Sequence, residues 1–405
     1  MTHTQRTFRL AAALSLGLLP SLAAGQNVPV EPEPAVMTIG PVEVRPRIVL
    51  ANVGVDNNVF NEFENPKSDF TATISPDLDL SIRPGPLRLS LLTGTDVVYY
   101  HRYDSERSTG RRFGARAELD LPYIKPFIAY SAAHTSVRSG NEIDIRARHH
   151  PRALSGGLRL ILASRTSLLL TARRATVEYD DGATFRGVEL ADTLNSITRT
   201  YDSALAVSLT PLTTVSLTAS VEDTQFDRDS RRNSRSYRIA PTIAISPLGL
   251  LNGTASVGYR RFDGEDPMMP SYSGLTAAGS LGLVLVDRYR FETTFSHDVR
   301  HSYESALPYY VQTAGRGTVA TYLFGGLDVR VIAGREVMDY RAFIGAEEPG
   351  RDAVTTYGGG VGYRLTESVQ LVLTAETSKR VSARDVTREY TNDRIFATVS
   401  WGVSR

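Results

Sequence analysis

The side chains most able to do chemistry at neutral pH are seven histidines, at His3, His101, His134, His149, His150, His297 and His301. Their spacing argues against a shared metal. His149 and His150 are adjacent, so on a strand they point to opposite faces, and His297 and His301 share a face but lie ~13 Å apart at ~3.3 Å per residue. A barrel phospholipase would need a Ser–His pair on its lipid-facing wall with a polar group to orient it. His134 near Ser131 and Ser136 comes nearest, and it reads as an ordinary rim histidine. Gly358-Gly359-Gly360 is followed by neither a helix nor a suitably placed Lys, so it is a Gly-rich strand rather than a phosphate loop. Asp227, Asp229 and Arg231 lack the spacing and the Gly of a calcium loop, and are expected to be solvated. The chain has no Cys, which removes disulfides, Fe–S clusters and thiolate zinc. No catalytic residue, metal ligand or cofactor site is therefore assigned.

What remains is charge. Asp77, Asp79, Arg88, Arg112, Arg116, Glu118, Asp120, Arg260, Arg290, Asp328 and Arg330 all fall on the polar side of an alternating pattern, mostly in mid-segment. Mixed charges on one face of a tube would line a pore and set up a transverse field at a constriction. The same residues could equally be structural ion pairs. These eleven are the candidate pore-lining residues.

The elements that position them have a period of two. Phe70, Ala72, Ile74, Leu78, Leu80 and Ile82 alternate with Thr71, Thr73, Ser75, Asp77, Asp79 and Ser81. The same alternation runs through Phe113–Leu121, Val215–Val221, Val369–Leu373 and Ile395–Val403. Successive side chains on a strand face opposite ways, so each segment has one apolar and one polar face. No helical stripe of comparable length occurs in the mature chain. Connections alternate too. Very short turns, often carrying Pro or Gly, occur at 83–86, 122–126, 163–165, 210–212, 247–249, 287–288, 325–326 and 366–367. Longer polar loops occur at 56–68, 104–110, 139–144, 180–194, 227–233, 263–270, 304–308, 347–352 and 382–385. Eight turns and nine loops imply about 18 antiparallel strands (16–18), an all-β closed transmembrane barrel with short periplasmic turns and longer extracellular loops. An even count places both termini on the periplasmic side.

Composition agrees. With 45 Lys+Arg against 44 Asp+Glu, no excess charge is available to bind nucleic acid. The apolar face is rich in Leu, Val and Ala, which suits lipid better than an interdigitated sandwich core, and closure pairs the backbone groups that hydrocarbon would strand. Aromatics fall in two bands. Tyr99, Tyr100, Tyr179, Tyr201, Tyr237, Tyr259, Tyr309 and Tyr340 lie near the long loops; Tyr123, Phe127, Tyr289, Phe291, Phe324 and Trp401 lie near the short turns. At the N-terminus, Arg6 and Arg9 precede an apolar run from Leu10 to Leu19, then Pro20 and Ala23-Ala24-Gly25, a signal peptide over residues 1–25 cleaved before Gln26. Residues 26–45, with Glu31-Pro32-Glu33-Pro34, are expected to be an extended periplasmic tail, leaving residues 46–405 to the barrel. The last strand, Ile395–Arg405, is similar to the closing strand that barrel assembly machinery recognises, although it ends on Arg405 with Trp401 four residues earlier.

Val53-Gly54-Val55-Asp56-Asn57-Asn58-Val59-Phe60 follows the first alternating run. It resembles the opening segment of the putative β-barrel porin type 2 family, which reads tyrosine, aspartate, aspartate or serine, asparagine, valine or isoleucine, then an aromatic. The resemblance implies an outer-membrane barrel of a Gram-negative bacterium with no catalytic residues to carry over. Some members of that family are encoded near exopolysaccharide genes. The expected function is a porin-like channel for passive diffusion of small polar solutes. The alternatives are an outer-membrane component of exopolysaccharide export or secretion, with the tail engaging a periplasmic partner, and a non-conducting structural barrel. Modest loop lengths argue against a plugged lumen. Expected partners are outer-membrane lipid and lipopolysaccharide, the assembly machinery with periplasmic chaperones, and a polysaccharide or small polar solute; no nucleic acid is expected, and oligomeric state is left open.

Overall fold

A computed structural model describes residues 37–246, 250–286, 288–347 and 349–402. The signal segment Met1–Gly25 and tail residues 26–36 lie outside the described residues. Eighteen long strands follow in order: β1 Val42–Asp56, β2 Asp69–Ile82, β3 Leu87–Tyr100, β4 Ser108–Leu119, β5 Ile124–His134, β6 Arg152–Ala163, β7 Thr166–Val177, β8 Ser196–Ser208, β9 Thr213–Phe226, β10 Ser234–Ile245, β11 Leu251–Gly264, β12 Tyr272–Leu285, β13 Tyr289–His301, β14 Tyr309–Tyr322, β15 Leu327–Arg341, β16 Arg351–Arg364, β17 Val369–Ser382 and β18 Tyr390–Trp401. Each pairs antiparallel with its neighbours, and β1 pairs with β18, so the sheet closes on itself. A short strand, Met37–Ile39, folds back on Val42–Val44, so regular pairing starts a few residues before the expected boundary at 46. Closure gives each of the eighteen long strands a partner on both sides, so none of them is an edge.

Alternation decides which face goes where. Phe70, Ile74, Leu154, Leu217, Ile239, Leu275, Val331 and Leu373 are all exposed, and no second layer covers them. Such a continuous apolar exterior is unstable against water and stable against lipid. Connections of two to five residues sit at one end with the first and last strands' outer termini; connections of seven to eighteen sit at the other. Several expected boundaries shift. Lys125 and Pro126 belong to β5, paired with Arg159 and Leu158, because Pro can occupy a ladder position that donates no N–H. The loop expected at 139–144 runs from Thr135 to Pro151.

The wall closes with little slack at its seam. Leu50 and Val53 frame a bulge in β1, with Asn52 at a positive φ of 53°. A Cβ on Gly54 would stand 2.0 Å from the Ile395 carbonyl oxygen, so this position admits only glycine.

Candidate functional site

The charged candidates occupy the inner face of the barrel, opposite the exposed apolar one, and their partners are local. Arg112 on β4 reaches Asp96 on β3 and Asp77 on β2, and Arg47 on β1 also binds Asp77 at 2.6 Å. Lower on this wall, Asp120 meets Arg88 at 3.4 Å and Lys125 at 2.5 Å. Arg116 holds Glu118 at 2.6 Å and stacks 4.0 Å from the Phe127 ring centroid. Asp79 is 3.8 Å from Arg45. Across the barrel, Arg260 is almost fully buried between Glu222 at 2.6 Å and Asp298 at 3.0 Å. Asp328 accepts from Arg330 at 2.6 Å, and Arg290 lies 3.9 Å from Glu292. Of the eleven candidates, four pairs form among themselves: Asp77–Arg112, Arg88–Asp120, Arg116–Glu118 and Asp328–Arg330. The others pair with residues outside the set. Each pair lies on one strand or on strands a step or two apart. The eleven candidates thus form local ion pairs rather than one basic flank facing one acidic flank.

The long loops change the picture at the opposite end from the termini. The loop Thr135–Pro151 leaves β5 and returns at β6. On the ring of eighteen strands, β15 is nine places from β6 in either direction, on the far side. The loop reaches it: Asn141 donates to Glu336 on β15 at 2.6 Å. Asp144 accepts from Arg380 on β17 at 2.7 Å, and Arg380 also donates to the Asn141 carbonyl at 2.7 Å. Glu142 accepts from the Ser302 hydroxyl at 2.6 Å, and its carbonyl accepts from Arg388 at 3.0 Å. A segment anchored on both walls crosses the mouth.

Other loops pack against it. Ile143 and Ala147 join Tyr179, Phe185, Leu190, Ala191 and Tyr303 in the largest buried apolar cluster, which holds loop residues alone. Arg232, fully buried, ties the loops together by donating to the carbonyls of Thr193 at 2.5 Å, Pro308 at 3.2 Å and Ser302. Glu304 receives Arg384 at 2.6 Å and Arg388 at 2.8 Å. Burial pushes the Glu142 carboxyl up to about 7, against the opposing pull of the Ser302 hydroxyl and Arg388. It also raises Asp144, although Arg380 and Arg138 resist, and it lowers Arg232 to about 10. Two of these loops, of seventeen and eighteen residues, are longer than expected, and they fold inward, a direction that length does not set.

Several expected residues turn out differently. Tyr99, Tyr201, Tyr237 and Tyr259 are exposed on the outer face, whereas Tyr100, Tyr179, Tyr309 and Tyr340 are buried. Neighbours such as Tyr99 and Tyr100 cannot both face lipid. Phe127 lies under Arg116 on the inner face, leaving Tyr123, Tyr289, Phe291, Phe324 and Trp401 exposed near the short turns. His134 meets the His150 ring, Nδ1 to Nδ1 at 3.0 Å, rather than a serine, and His150 in turn meets Asp180 at 2.7 Å. Asp229 pairs with Arg231 at 3.0 Å. Gly358 and Gly360 lie in β16, where a Cβ would stand 2.3 and 2.5 Å from backbone oxygens of β17.

The segment Val53–Phe60 is a clasp. Asp56 binds Arg394 at 3.0 Å, and Asn57 exchanges hydrogen bonds with Asp393, donating at 2.9 Å and accepting from its N–H at 2.7 Å. Asn392, fully buried, donates to the Asn58 carbonyl at 2.7 Å, while the Asn58 amide donates to the Thr391 carbonyl at 3.1 Å. The residues carrying the family resemblance thus join the first strand to the last.

A family model described as putative beta-barrel porin 2 matches residues 31–402. A comparison with curated protein sequences finds no match. Among solved structures, the Pseudomonas aeruginosa protein OccK2 (OpdF), in complex with glucuronate, aligns with a TM-score of 0.51 at 11% identity, covering 88% of this chain and 98% of that one. Pseudomonas aeruginosa OccK1 (OpdK) aligns with a TM-score of 0.50 at 12% identity over 88% and 99%. At these identities the likeness is one of fold.

Proposed function

We infer the route of the solute from one premise: the chain belongs to the putative beta-barrel porin 2 family. It is a porin-like channel for small solutes in the outer membrane. We propose that polar solutes diffuse through a lumen lined by the paired charges around Arg112 and Arg260, and that the Thr135–Pro151 segment sets the size limit at the outer mouth. The single observation behind this reading is that segment's crossing, with Asn141 and Asp144 held by the far wall. An enzyme is the less economical reading, because the family and the fold are those of a channel. Export through a signal over residues 1–25, a short periplasmic tail over 26–45, and insertion by the barrel assembly machinery through the last strand belong to the same proposal.

Reconstitution in planar bilayers tests it. Discrete conductance steps, small for a ring of this size, are expected. Protein that inserts and yields no steps at any voltage would exclude a diffusion channel and leave a structural barrel.

A further inference from the structure

We propose that the outer wall over β7–β11 holds a binding site for the phosphorylated, acylated glycolipid of the outer leaflet, lipopolysaccharide. Tyr201 on β8, Tyr237 on β10 and Tyr259 on β11 face outward and are about half exposed. Between them Ala219 and Ser203 leave the wall low, so that the three rings border an open groove floored by Ala219, Val221 and Ile239. A trough of rigid aromatic walls over an apolar floor, lowest at Ala219, fits an acyl chain.

Immediately beyond this groove, toward the long loops, the exposed side chains become guanidinium groups. Arg199 and Arg235 each stand two residues from one of these tyrosines on the same outward face, Arg174 on β7 is the register partner of Arg199, and Arg261 lines the groove itself, level with Tyr237. Two like charges directly opposite each other on a sheet are destabilising unless an anion lies between them. Among the described residues Arg174 has no carboxylate partner. Asp223 serves Arg199 at 3.5 Å and Arg235 at 3.1 Å, and Asp263 serves Arg261 at 2.8 Å. Four guanidinium groups against two carboxylates leave an excess of two positive charges. Arg binds phosphate in bidentate geometry, so the ledge matches a headgroup that carries phosphates directly above its chains. Its position at the long-loop end puts it at the outer leaflet rather than the periplasmic one. The site rests on the outer-membrane location of the barrel and is independent of whether the lumen conducts.

The test uses the full-length protein in detergent, titrated with purified lipopolysaccharide and read by native mass spectrometry. The R174Q/R199Q/R235Q variant is expected to lose affinity by about tenfold or more, as loss of several charge-assisted contacts would. Y201A/Y237A should lose affinity as well, and R335Q, exposed on β15 outside this wall, should stay within about twofold. Bilayer conductance should be unchanged in all three, which separates this site from the channel reading. Single R174Q, which breaks no ion pair, serves if the triple variant fails to show heat-modifiable migration, and is expected to weaken binding by about threefold. Affinity unchanged in the arginine variants, an equal loss in R335Q, or phosphatidylglycerol competing as well as lipopolysaccharide would each overturn the proposal.

Discussion

Arg380, on the far wall of the barrel, holds Asp144 of the mouth-crossing loop at 2.7 Å, with the arginine fully buried. The same guanidinium binds Asp352 at 2.5 Å, so one side chain joins the wall and the loop. Two charges removed from water are costly to separate, and removing one partner strands the other.

Arg380→Ala should therefore release the loop. The expected loss is about 3–5 kcal/mol of latch stability, the usual cost of breaking a buried pair. Unitary conductance should rise, and the Thr135–Pro151 segment should become cleavable by added protease in intact vesicles. Unchanged conductance with a resistant loop would mean that Asp144 is not what holds the segment across the mouth.

Glu142 gives the mouth a pH dependence of defined sign. Its carboxyl is raised to about 7 in the packed loops and would return to the ordinary range near 4.5 once released. The packed state thus binds the extra proton. Its stability is greatest below about pH 4.5, falls as pH rises toward about 7, and is flat beyond, a total of about 3 kcal/mol at 1.36 kcal/mol per pH unit. Single-channel records between pH 4.5 and 8 should show larger or noisier openings at the alkaline end. Glu142→Gln should flatten the profile and keep the acidic behaviour throughout.

Asn58 and Asn392 join the first and last strands through buried amides. Asn392→Ala leaves the Asn58 carbonyl without this donor, at a cost of about 1–3 kcal/mol for an unsatisfied buried group. The folded band should convert to the unfolded one at lower temperature in a heat-modifiable gel. An unaltered transition would indicate that backbone pairing alone closes the ring.

Ion selectivity should follow the balance around Arg112. Arg112→Ala leaves Asp77 with Arg47 alone, and Asp96 with the Ser75 hydroxyl, which donates at 2.5 Å. The reversal potential in a salt gradient should move toward cations, by about twofold in permeability ratio at 0.1 M salt, where screening is incomplete. Asp77→Asn should move it the other way. No shift in either variant would put the solute path elsewhere.

The candidate site was partly legible in the residues. Arg112 with Asp77 and Arg330 with Asp328 fell on one face by parity alone, because a strand offers only two directions. The mouth was not legible. Ile143, Ile145 and Ala147 alternate with Asp144, Arg146 and Arg148 as strand residues do, which disguised a seventeen-residue loop as a six-residue one. Arg232 and Arg388 look like solvated loop cations, yet both are buried.

Period-two alternation and turn spacing are local properties, and from them the sequence by itself determined a closed antiparallel barrel of about eighteen strands and the polarity of each face. Contact between segments hundreds of residues apart is not local. That Asp144 meets Arg380, and that Asn58 meets Asn392, depends on where ring closure places strands β5, β1, β17 and β18 relative to each other. Only the tertiary structure decided that the loops fold into the mouth. There, burying Ile143, Tyr179, Leu190 and Tyr303 together favours packing inward over extension into water.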